Sequence, residues 1–92
     1  MAVGNPTVED KEIEKLYFTI GEVSELTGHA GSAIRFWCDE LELKVYRNNK
    51  NERSFDVRMK DKIVRIAQLV DTGYYSMKGI RAIIEGKLYP FL

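Results

Sequence analysis

Residues 19–41 read TIGEVSELTGHAGSAIRFWCDEL, two helix signatures separated by a glycine-bearing break. Thr19 and Glu22 form a capping box, in which the Thr19 hydroxyl accepts from the backbone N–H at Glu22 and the carboxylate reaches back to the cap. Phe18 before the cap and Val23 beyond it are spaced to staple the first turn. Ile20, Val23 and Leu26 then mark one apolar face, and Gly28 is a helix stop. A helix of about eight residues is too short to stand alone and must pack on something. After residues 28–31, a stretch from Ser32 to Leu41 places Ile34, Trp37, Cys38 and Leu41 on a helical stripe, with Arg35, Asp39 and Glu42 projecting elsewhere. Two short helices joined by a tight turn containing glycine are the minimum signature of a helix-turn-helix.

Working outward, Leu43 to Arg47 and Arg53 to Phe55 flank an Asn-rich polar tip and read as a β-hairpin. Asp56 caps a further helix to about Val70, with Ile63, Ile66, Ala67, Leu69 and Val70 inward, and Gly73 ends it. Ser76 starts a last helix over Met77 to Glu85, and Gly86 closes it. The order helix, helix, hairpin, helix, helix predicts a mainly α fold, a winged helix-turn-helix with the wing directly after the second helix. On this reading residues 1–15 are a loose N-terminal arm, 16–87 the winged helix-turn-helix domain, and 88–92 an apolar tail.

Composition agrees with one small domain. The 92 residues carry a single Cys and a single His, too few for a disulfide or a structural zinc site. Apolar runs are a few residues long against about 20 for a bilayer span, and the start shows no basic leader followed by an apolar block. A cytoplasmic protein without cofactor, metal or membrane partner is expected. The 14 basic and 14 acidic residues cancel, but unevenly along the chain. Residues 1–28 hold two basic against six acidic, residues 29–65 nine against six, and residues 66–92 three against two. A neutral chain can therefore still present a basic face over its middle third. His29 alone, with no carboxylate at catalytic spacing, is not acid–base machinery, and neither a phosphate-cradling Gly loop nor a nucleophile elbow is present. No enzyme is expected.

The quoted stretch, with its TIGEVSELTG and IRFW segments, resembles the opening of MerR-family transcriptional regulators. Arg53-Ser54-Phe55-Asp56 is similar to that family's wing exit, and Ser76-Met77-Lys78-Gly79-Ile80-Arg81 to its fourth helix. The resemblance covers about residues 16–86. It implies sequence-specific binding of double-stranded DNA in transcription, with the second helix in the major groove and the wing on the phosphate backbone. It also implies a backbone or base-edge contact at Arg35, a phosphate contact at Arg53, and a wing supported from beneath by Phe55. Arg suits either task, since it offers a rigid donor fork to phosphate or guanine. Ser32, Phe36, Arg47, Lys50, Lys44 and Tyr75 complete the candidate DNA-binding set, with Arg58 and Tyr74 beside them.

Each assignment has a plainer competitor. Arg35 is spaced to pair with Asp39 on its own helix, and Arg53 has Glu52 and Asp56 beside it. Trp37 lies on the apolar stripe and reads as core, Phe36 lies off it and would lean on Phe55, and Cys38 reads as a small half-buried hydrophobe. The sequence departs from the family pattern at His29-Ala30-Gly31, at Cys38, and at Tyr46 and Glu52 of the wing. Ala30 offers no side-chain cap to the second helix.

Complete family regulators continue into a long dimerisation helix, bind palindromes and engage RNA polymerase. Here Leu88 to Leu92 follow with no heptads, so the expectation is the DNA-binding part of a longer protein or a small stand-alone reader. Such a chain would be a monomer or weak dimer in solution, forming a homodimer on DNA. An excisionase-like or nucleoid-associated DNA binder is the first alternative, and a winged-helix protein–protein interaction module the second. Convergence of Arg35, Arg47 and Arg53 on one basic face separates the DNA readings from the last.

Overall fold

The computed structural model describes residues 16–88. Strand β1 (Tyr17–Thr19) leads directly into helix α1 (Ile20–Thr27), followed by α2 (Gly31–Glu40). The wing strands β2 (Tyr46–Arg47) and β3 (Arg53–Asp56) come next, then α3 (Val57–Thr72) and α4 (Met77–Ile84). This is the winged helix-turn-helix that the sequence predicts, mainly α with a small antiparallel sheet.

Local chemistry accounts for the helix ends. Thr19 Oγ1 accepts from the Glu22 N–H at 3.1 Å while Glu22 Oε1 accepts from the Thr19 N–H at 2.8 Å, closing the capping box. Asp56 and Ser76 cap α3 and α4 by accepting from Met59 and Gly79. Gly28 and Gly73 stop α1 and α3 in the left-handed region, at φ 76° and 74°, which a side chain would strain. Helix α2 starts at Gly31, one residue before the expected Ser32, and its N-cap Ala30 makes no side-chain bond. The turn before it is held from α1 instead: Ser24 Oγ donates to the His29 carbonyl at 2.6 Å, and Thr27 Oγ1 accepts from the His29 N–H at 3.2 Å.

The sheet holds one strand more than the expected hairpin. Its order is β1-β3-β2, antiparallel throughout, with Phe18 opposite Phe55 and Arg47 opposite Arg53. Facing residues share a side of the sheet, so Phe18, Phe55, Arg47 and Arg53 point one way, and Tyr17, Thr19, Tyr46 and Ser54 the other. The first wing strand is only two residues long, against the expected run from Leu43; Leu43 and Val45 pack on the core instead.

One core joins all four helices to the wing. Val23, Ile34, Trp37, Phe55, Ile63, Ile66, Leu69 and Ile80 are buried in it, with Cys38 and Leu41. Trp37 is 4% exposed, so the core reading holds. Cys38 is fully rather than half buried, and that burial pushes its thiol pKa up, with Arg53 opposing. Leu26 departs from its predicted role: it is 55% exposed, because α1 turns only its Val23 side fully inward. His29 ties the turn to the end of α3, with Nε2 2.8 Å from Asp71 Oδ1 and its ring edge-on to Trp37 at 4.9 Å. The assigned arm, residues 1–15, and residues 89–92 of the assigned tail lie outside the described residues; Leu88 is exposed.

Candidate nucleic-acid interface

The site is assembled by α2 on one side and the wing on the other. The wing tip is knitted by its asparagines. Asn48 Oδ1 accepts from the N–H groups of Lys50 and Glu52, both at 2.9 Å, and Asn48 Nδ2 donates to Glu52 Oε1 at 3.0 Å. Asn51 sits at φ 64°, a region asparagine tolerates better than most residues. Its carbonyl accepts from Arg47 Nη1 at 3.2 Å, so Arg47 is braced against the tip. Lys50 is exposed at the apex.

Arg53 does not take either partner offered by its neighbours in sequence. Its guanidinium crosses to Asp39 of α2, 3.4 Å away, and its side chain is only 16% exposed. That ion pair ties wing to helix. It also removes the partner expected for Arg35, which is exposed and makes no hydrogen bond or ion pair among the described residues. Arg35 folds back over the start of its own helix, its Nη1 3.6 Å from where a Cβ on Gly31 would sit, and Ile20 of α1 is equally close to that point.

Between these elements lies a groove of about 380 Å³ lined by Tyr17, Phe18, Thr19, Ile20, Arg35, Arg47, Asn48, Glu52, Arg53 and Ser54. Three arginines and Glu52 contribute to that lining, and Asp39 holds the guanidinium of Arg53. Three residues expected to act together, Arg35, Arg47 and Arg53, are thus brought together from a helix and both wing strands. Ser32 and Phe36 lie beside the groove on the exposed face of α2. Phe36 is 52% exposed, while Phe55 is fully buried in the core. Lys44 is elsewhere, in a shallow depression with Leu43, Val45, Tyr46 and Asp56. Tyr75 packs against the core edge-on to Tyr74, whose own ring is exposed; neither lines the groove. Tyr17, Thr19 and Asn48 do line it and were not singled out from sequence. For Asn48 a signal existed in the Asn-rich tip; for Tyr17 and Thr19 it depends on β1, a three-residue strand.

Among the described residues no group of three or more His, Cys, Asp or Glu is placed to hold a metal ion, and no helix is long and apolar enough to cross a membrane. Residues 18–87, most of the chain, match the family described as MerR HTH family regulatory protein. The chain belongs to this family. A MerR-type winged helix-turn-helix has a DNA-binding, transcription-regulating role and is not an enzyme. A comparison with curated proteins finds no match.

Proposed function

We propose that this MerR-type domain binds double-stranded DNA with α2 in the major groove and the wing along the phosphate backbone, reading a specific sequence to regulate transcription. The observation that carries the reading is the meeting of Arg35, Arg47 and Arg53 on one groove between helix and wing. A guanidinium holds phosphate through paired donors, and the three arginines outnumber the carboxylates of Glu52 and Asp39 beside them, leaving a positive excess at the groove of a chain of zero net charge. Arg35 and Arg47 take phosphate oxygens. Arg53 adds its charge at the groove while holding the wing against α2 through Asp39. Lys50 reaches the flanking backbone from the wing apex. Ser32 and Phe36 meet the base edges.

A module of this size buries about 600–1,000 Å² on DNA, so two copies on an inverted repeat would supply the affinity of a specific site. In a complete regulator acting in the cytoplasm, RNA polymerase would be the next partner. An excisionase-like or nucleoid-organising protein would use the same surface.

The test is selection of bound DNA from random duplexes at stated salt. Enrichment of a defined motif is expected. Retention of duplexes without any motif would support the nucleoid-organising alternative, and no retention at low salt would overturn DNA binding by this domain.

A further inference from the structure

Helix α2 presents an unusual outward face for a helix that reads DNA. At about 100° per residue, Ser32, Phe36 and Asp39 lie opposite the buried side formed by Ile34, Trp37 and Cys38. Arg35 is on the flank that lines the groove, and Asp39 is held by Arg53 at 3.4 Å. Of these three residues opposite the core, Ser32 and Phe36 are left without a partner among the described residues, while Arg35 and Glu40 are exposed on the two flanks. So the centre of the face offers one small hydroxyl and one large apolar ring, half open to solvent.

The base edges of the major groove are hydrogen-bond donors and acceptors, with one apolar exception. In unmodified DNA that exception is the C5-methyl group of thymine. A phenyl ring has neither donor nor acceptor, so it cannot discriminate among the polar edges, and burying it on one would leave that edge unsatisfied. We infer that Phe36 is a specificity-determining residue that selects thymine, its ring packing on the C5-methyl in the major groove. The inference rests on the proposed placement of α2. Ser32, four residues earlier on the same face, lies one helical turn away along the groove, and Arg35 anchors the register from the flank. Position 36 therefore selects by apolar contact, while the arginines supply charge without reading this base pair.

The experiment takes the motif obtained from random duplexes and replaces each thymine in turn by deoxyuridine, which differs only in lacking the methyl group. Affinities are measured for the wild-type protein, Phe36→Ala and Phe36→Leu. Because Phe36 is off the core, both variants should keep the wild-type melting temperature, and a thermal melt checks this.

For the wild type, deoxyuridine at one thymine position should weaken binding by about fourfold, the worth of one buried methyl group. In Phe36→Ala the thymine-to-uracil ratio at that position should fall to about one, and in Phe36→Leu discrimination should persist. Four results would overturn the inference. A motif without a fixed A·T pair and a flat deoxyuridine scan on tightly bound DNA each refute it while leaving the DNA-binding reading intact. A methyl effect as large in Phe36→Ala as in the wild type would assign the contact to another residue. Failure to retain any duplex would end both readings together.

Discussion

Arg35→Ala removes a guanidinium that lines the groove and has no partner within the described fold, so it tests the phosphate assignment with little risk to stability. An exposed residue of this kind should change folding free energy by no more than about 0.5 kcal/mol. Each phosphate neutralised on B-DNA contributes about 0.9 to the slope of log affinity against log salt, so the two arginines proposed to take phosphate oxygens, Arg35 and Arg47, account for a slope of about 1.8. Losing one should bring their share to about 0.9, which means that a fourfold rise in salt costs about 3.5-fold less affinity than before. The contact itself, a charge-assisted hydrogen bond, is worth at least about 1.5 kcal/mol, or roughly tenfold in affinity. The loss should be similar on unrelated duplexes, because phosphate carries no sequence information. Fluorescence anisotropy with two unrelated duplexes across a salt series measures both quantities, and Arg65→Ala, an exposed change on α3, provides the control. An unchanged slope in Arg35→Ala, or a loss confined to one sequence, would refute the assignment.

Four further outcomes follow from the same structure. Trp37→Ala deletes a core ring that also meets His29 edge-on, and denaturant melts should show a loss of roughly 3–5 kcal/mol; under 1 kcal/mol would contradict the core placement. Thr19→Ala opens the capping box of α1 and should cost about 0.5–2 kcal/mol in the same assay, an unchanged midpoint being the contrary result. Cys38 should resist maleimide in the native protein and react as denaturant unfolds it, whereas rapid native labelling would show the site open. Its raised pKa also fixes a sign: above the ordinary thiol value the unfolded chain releases its proton while the folded one keeps it, so stability falls as pH rises through that window.

The features legible in sequence are those decided within a few residues. Caps at Thr19, Asp56 and Ser76 and stops at Gly28 and Gly73 are local donor–acceptor and φ requirements, and each appears where the residues place it. Helical periodicity likewise places Ile34 and Trp37 inward and Arg35 and Phe36 off the stripe. The start of α2 lacks such a signal, because Ala30 cannot cap and the support comes from Ser24 of the preceding helix. Strand β1 is illegible for a different reason. Its three residues form a strand only because β3, more than thirty positions later, offers an unpaired edge. The groove inherits both limits. Its arginines could be named one by one, but the Arg53–Asp39 pair depends on how the wing docks on α2, and that same docking leaves Arg35 unpaired.

The central claim is that DNA lies on the α2–wing groove. The most direct measurement is the pattern of backbone amide NMR shifts on titrating isotope-labelled protein with the duplex selected from random DNA. The largest changes are expected at residues 31–36 and 46–54, with the outer face of α3 around Arg58, Lys62 and Arg65 nearly unmoved. Changes centred on that α3 face, with the groove silent, would contradict it.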